Sequence, residues 1–157
     1  MIAVGEKIDT NFELKVVENG EDRLVNFGEL LDTPAIVTVY MKNNTSSCDL
    51  QNTSICGFED AIAAKGFKLI ALSKDGVKGH KNYAKKHDLK HILASDPDHK
   101  FAAATDSIVE KKMYGKVYSG PSRSAFAIGT DGTVLAVIEK VNSKEHGAEL
   151  VDLVNAL

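Results

Sequence analysis

The chain has 157 residues, a net charge of −3 at pH 7 and 43% apolar residues, the profile of an ordinary globular protein with a sizeable core. The slightly acidic balance gives no electrostatic basis for binding nucleic acid or an anionic membrane, and no apolar run approaches the roughly 20 residues of a membrane span. Two cysteines are too few for a disulfide scaffold, and no second Cys or His pair stands at zinc-ligand spacing, so no metal or other cofactor is expected.

Met1 to Lys7 lacks the basic start and long apolar stretch of a secretory signal, so a cytoplasmic location is expected. No repeat, low-complexity tract or linker divides the chain, which reads as one domain over residues 1–157. Phe12 to Val16 alternates apolar and polar as a half-buried strand does. Glu18-Asn19-Gly20-Glu21 is a hairpin turn, with Leu24-Val25 on the return strand. After Pro34, Ala35 to Tyr40 is β-branched and almost wholly apolar, which suits a central strand buried on both faces. A polar loop from Lys42 to Ser47 leads into a helix expected over 47–65 and ended by Gly66. Phe67 to Leu72 is a second buried strand, and strand-helix-strand in this order makes a parallel βαβ unit.

The pattern continues with a helix over Val77–His87, on whose solvated face His80 and His87 are expected, and a short strand His91–Ala94. A further helix starts at Asp96-Pro97 and runs to Thr105. Strands Arg123–Ile128 and Val134–Ile138 flank the turn Gly129-Thr130-Asp131-Gly132. Lys144–Leu157 forms a C-terminal amphipathic helix. The expected fold is α/β, with a central mixed sheet, helices on both faces and an N-terminal β-hairpin.

Cys48 falls just beyond the end of a central strand, in the first turn of the next helix, where open α/β sheets build their sites. Unpaired N–H groups and the helix dipole at that end both favour thiolate over thiol. The gain is large: about 3% of a thiol with pKa 8.5 is ionised at pH 7, and about 90% of one with pKa 6. Arg123 is one of only two arginines, and its fixed fork of donors can hold a thiolate and a peroxide oxygen together. Thr45, three residues before Cys48, can donate to the sulfur or accept from a peroxide.

Thr45-Ser46-Ser47-Cys48 resembles the Thr-x-x-Cys loop of the peroxiredoxins, and the chain is similar to their peroxiredoxin Q, or bacterioferritin comigratory protein, group. The resemblance runs through Phe12 and Leu14, Tyr40 and Lys42, Gln51, Leu72-Ser73-Lys74-Asp75, Ser95-Asp96-Pro97-Asp98, the stretch from Tyr114 to Ser124, and His146. It implies a thioredoxin-like fold and a thiol peroxidase acting on hydrogen peroxide and organic hydroperoxides. Cys48 would be the peroxidatic cysteine, Thr45 and Arg123 its activating partners, and thioredoxin or a similar dithiol the reductant. It also implies a monomer or weak dimer. Two positions depart from the pattern: Met41 stands where the family's loop has proline, and Thr53 where many relatives carry the resolving cysteine.

Cys56 also ends a Thr-x-x-Cys string, but only Cys48 keeps the family's distances back to Tyr40 and forward to Gly66. Cys56 remains a candidate resolving cysteine. Eight helical residues separate two thiols by about 12 Å, beyond the roughly 7 Å between Cα atoms that a disulfide spans, so bonding would require the helix to unwind. The alternative is a structural thiol, with an external thiol as resolver. Two other functions compete: a redox-inactive thioredoxin-like binding module, and a thioredoxin-type oxidoreductase, which would normally carry Cys-x-x-Cys.

Overall fold

The computed structural model describes residues 1–157, the side chain of Met113 excepted. Strands β1 (Glu13–Glu18) and β2 (Glu21–Asn26) form the N-terminal hairpin, followed by a 3-10 segment over Phe27–Asp32. Then come β3 (Ala35–Val39), helices α1 (Ser46–Ile55) and α2 (Glu59–Ala64), β4 (Lys68–Ser73), α3 (Val77–His87), β5 (Ile92–Ser95) and α4 (Lys100–Ala104). A second hairpin of β6 (Ile108–Met113) and β7 (Lys116–Pro121) precedes β8 (Ala125–Ile128), β9 (Val134–Ile138) and α5 (His146–Asn155).

Seven strands form one mixed sheet in the order β2-β1-β5-β4-β3-β8-β9. β3 pairs parallel to β4 and β4 to β5, as the two apolar runs and their crossover helices require. β8 runs antiparallel to β3, and β1 antiparallel to β5, which joins the N-terminal hairpin to the sheet. Alternate side chains of β3 go to opposite faces. Ile36 packs with Ile55, Ile62, Ala125 and Leu150 beneath α1, α2 and α5, whereas Val37 and Val39 pack with Phe27, Phe101 and Phe126 beneath the 3-10 segment and α4. This is the thioredoxin-like α/β arrangement.

The helix expected over 47–65 is two helices. Gly57 takes φ +94°, a left-handed conformation that ends α1 at Cys56, and α2 starts afresh at Glu59. The helix expected from Pro97 is short because the Asp96 carboxylate accepts from the N–H groups of Lys100 and Phe101, delaying its start to Lys100. Arg123 lies in the bend before β8, not in the strand. His80 is fully buried, contrary to the solvated face expected for it. Its place follows from helical spacing, since Val77, His80, Ala84 and His87 share one stripe of α3. Among the described residues no helix is long and apolar enough to cross a membrane.

Candidate active site

β3 ends at Val39, and the segment from Tyr40 to Asn44 carries the chain over the edge of the sheet into α1. Tyr40 is buried and its hydroxyl donates to Asn43 Oδ1 at 2.6 Å, while the Asn43 N–H donates to Asp75 at 2.9 Å. This loop is therefore pinned at both ends. Thr45 occupies the N-cap position of α1 and Cys48 its first turn. Only 1% of Cys48 is exposed.

Arg123 Nη1 donates to Cys48 Sγ at 3.3 Å and to Gln51 Oε1 at 2.7 Å. The Thr45 hydroxyl donates to the Lys42 carbonyl at 2.9 Å and also lies within reach of the sulfur. Burial pushes the Cys48 thiol up. The Thr45 hydroxyl, once its proton turns from the Lys42 carbonyl to the sulfur, together with the backbone N–H groups of Lys42 and Met41 and with Arg123, outweighs it and holds the thiol below its ordinary value. The site thus favours a thiolate with a guanidinium and a hydroxyl at its side.

Cys56 is placed differently. It caps the C-terminal end of α1, where the helix dipole disfavours negative charge. Burial first, then the carboxylates of Glu59 and Asp88, push its thiol above the ordinary value. Of the four residues singled out from the sequence, three come together around one sulfur. The fourth sits at the other end of the helix.

Behind Arg123 runs a buried chain of hydrogen bonds. Gln51 Nε2 donates to Thr38 Oγ1 at 2.8 Å and to the Val39 carbonyl at 3.2 Å, which fixes Gln51 Oε1 toward the guanidinium. Thr38 Oγ1 meets His146 Nε2 at 2.7 Å, and His146 Nδ1 meets Glu149 Oε1 at 3.1 Å. A carboxylate only accepts, so Nδ1 carries the proton and Nε2 accepts from the threonine. Sequence reasoning had His146 only as one residue of the family resemblance, without a partner, and it missed Thr38. The signal for Thr38 was present, as a lone hydroxyl inside the apolar run of β3.

His80 is likewise neutral by geometry. Its Nε2 donates to the Ala94 carbonyl at 3.0 Å, and its Nδ1 faces Asn43 Nδ2 at 3.3 Å. Burial lowers the pKa of both histidines below the usual 6.5, and at His146 it outweighs the Glu149 carboxylate. Unfolded, each takes up a proton below about pH 6.5 that the folded protein refuses. Stability is therefore full above that pH and falls as pH drops through it, by up to about 1.4 kcal/mol per pH unit for each histidine. Urea denaturation should show a lower midpoint at pH 5.5 than at pH 7.5; equal midpoints would contradict the neutral assignment.

Comparison with known proteins agrees with this geometry. The model of the AhpC/TSA family matches residues 4–137. A putative peroxiredoxin bcp of Coxiella burnetii is 30% identical over 153 residues, covering 96% of this chain and 97% of that protein. Peroxiredoxin Bcp of Bacillus subtilis is 32% identical over 151 residues, covering 94% and 92%. In three dimensions, Xanthomonas campestris peroxiredoxin Q superposes with a TM-score of 0.86 at 24% identity, over 98% of this chain and 97% of that one. The bacterioferritin comigratory protein of the same organism, studied for its alkyl peroxide reduction activity, gives 0.86 at 23% identity over 98% of both chains. With its thiol, threonine and arginine gathered at the head of α1, the chain belongs to the AhpC/TSA family and is similar along nearly its whole length to the peroxiredoxins named Bcp.

Proposed function

We propose that Cys48 is the peroxidatic thiolate of this peroxiredoxin, with Thr45 and Arg123 as its activating partners. The observation that carries the assignment is Arg123 Nη1 at 3.3 Å from Cys48 Sγ in the first turn of α1. The thiolate attacks the near oxygen of ROOH, the O–O bond breaks, and the alkoxide leaves and takes a proton to become ROH. Cys48 is left as sulfenic acid. Arg123 stabilises negative charge as it moves from sulfur to the leaving oxygen.

Cys56 then resolves the sulfenic acid: its sulfur bonds to Cys48 Sγ and water leaves. That bond requires α1 to unwind, since a helix of this length separates the two residues by about 12 Å. Two features favour unwinding. Asn52, Thr53 and Ser54 are weak helix formers, and Gly57 ends α1 before α2 begins, so one helix can open without the other. The cost is exposure of Gln51, Asn52 and Ile55, all fully buried when α1 is intact.

The rest of the reading is a single-domain antioxidant enzyme over residues 1–157, cytoplasmic, working as a monomer, with thioredoxin or a similar dithiol reducing the disulfide. NADPH-linked consumption of hydrogen peroxide in the presence of thioredoxin and its reductase tests the activity. Thiol counting tests the resolving step. Peroxide should remove both free thiols of the pure protein without forming a dimer, whereas a lasting sulfenic acid at Cys48 beside a free Cys56 would show a one-cysteine enzyme.

A further inference from the structure

Arg123 forms no ion pair among the described residues, although a guanidinium is commonly held by a carboxylate. What aims it is an uncharged amide. One nitrogen, Nη1, donates to both Gln51 Oε1 and Cys48 Sγ, and its two hydrogens stand at a fixed angle in the plane of the guanidinium. The direction of the first bond therefore sets the direction of the second. An amide can turn over and offer nitrogen where oxygen was, with almost no change in shape. Turned over, Gln51 would meet the guanidinium donor to donor. Two groups on its far side oppose this: the Val39 carbonyl, which only accepts, and Thr38 Oγ1, which is able to donate as well. Thr38 accepts from Gln51 because its own proton goes to His146 Nε2, and His146 offers a bare Nε2 because its proton is on Nδ1, facing Glu149. Glu149 Oε1 is fixed in turn by the N–H of Asn142 at 3.0 Å. From Arg123 onward every donor on this line points toward Glu149. Gln51, Thr38 and His146 are fully buried, and valine at position 38 would suit β3 without the burial of a hydroxyl.

We propose that Thr38, His146 and Glu149 are positioning residues for the peroxidatic step, holding the Gln51 amide in the one orientation that turns Arg123 toward Cys48. The inference rests on the peroxidase reading and adds to the residues that serve it. The three act through Gln51 and Arg123 rather than on the sulfur. The Glu149 carboxylate organises the guanidinium with His146, Thr38 and Gln51 in between. A carboxylate in direct contact would instead neutralise Arg123 beside the thiolate it has to favour.

The test is the second-order rate of Cys48 oxidation when the reduced protein reacts once with hydrogen peroxide. Thr38→Val should lower that rate about fivefold, the scale of one neutral hydrogen bond, because the Val39 carbonyl still holds the Gln51 nitrogen. Thr38→Ser should restore it. His146→Gln, whose side-chain oxygen can take the Thr38 proton, should retain most of the rate. His146→Asn, too short to reach Thr38, should lose as much as Thr38→Val. Both losses should vanish in an Arg123→Ala background, where the line has nothing left to aim. A loss that persists at full size there overturns the proposal, since the buried polar groups would then serve only the fold. A wild-type rate in Thr38→Val overturns it too, and the Thr38 series decides alone if a His146 variant does not fold. A wild type whose Cys48 is not oxidised by peroxide overturns the peroxidase reading itself.

Discussion

Cys48→Ser is expected to abolish peroxide reduction, with no rate above the enzyme-free blank, while Cys56→Ser keeps the first turnover. The two thiols share one helix and differ in everything that governs reactivity. Cys48 faces the N-terminal end of α1, the Arg123 guanidinium, the Thr45 hydroxyl and the N–H groups of Lys42 and Met41, which together overcome its burial and lower its pKa. Cys56 sits at the C-terminal end, among Glu59 and Asp88, with its pKa raised. A thiolate attacks peroxide and a thiol does not, so the first chemical step is expected of Cys48 alone. A serine hydroxyl stays protonated in the same setting and cannot replace it. The measurement is a single-turnover reaction of reduced protein with a molar equivalent of hydrogen peroxide. Consumption by Cys48→Ser at the wild-type rate would remove Cys48 from the mechanism. Loss of that first turnover in Cys56→Ser would show that the two thiols act as a unit.

The central strands and the reactive thiol were legible in the sequence for the same reason. Ala35–Tyr40, apolar but for Thr38 and largely β-branched, and Phe67–Leu72, apolar but for Lys68, leave little choice but buried parallel strands. The residue that opens the helix after such a strand stands at the carboxyl edge of the sheet. Thr45, Cys48 and Arg123 lie together there. The β6–β7 hairpin was not foreseen because most of its described side chains are exposed, Ile108, Val117 and Tyr118 among them, so no alternation marks the strands. Its turn is formed by Tyr114 and Gly115, both at positive φ, and a tyrosine there hides the pattern that Asn-Gly would show.

Other features were invisible because they are relations between distant segments. The line from Arg123 through Gln51 and Thr38 to His146 draws on four separate elements of the chain, and only the tertiary structure brings them together. The same holds for Met41. In the sequence it is a departure from the family's proline; in the structure it packs with the apolar core beneath the sheet edge and with the Cys48 cluster, and takes the Lys111 ammonium on its sulfur.

Gly147→Ala is expected to destabilise the protein by about 2 kcal/mol, although alanine is the better helix former. Gly147 is the second residue of α5, where that helix crosses α1. Its N–H donates to Ser54 Oγ at 3.2 Å, and a Cβ added there would overlap the Ser54 carbonyl oxygen and the Phe58 ring. The phenyl ring can turn aside, but the carbonyl belongs to the backbone of α1, so relief requires the two helices to separate. Overpacking against a rigid neighbour falls toward the upper end of about 1–3 kcal/mol, and the propensity gain of at most about 1 kcal/mol is smaller at a helix start. The melting temperature should therefore drop by roughly 4–8 °C for a protein of this size. Gly79→Ala is the control. In the first turn of α3 a new Cβ would meet nothing nearer than Asn43 Nδ2 at 3.8 Å, so that variant should gain a part of the roughly 1 kcal/mol that separates alanine from glycine inside a helix. If both variants shifted stability the same way, the close approach of α5 to α1 would not be what holds this end of the fold. If Gly147→Ala alone loses stability, its peroxidase rate should fall as well. Separating α5 from α1 pulls His146 away from Thr38, and the hydrogen-bond line that aims Gln51 at Arg123 then loses its anchor.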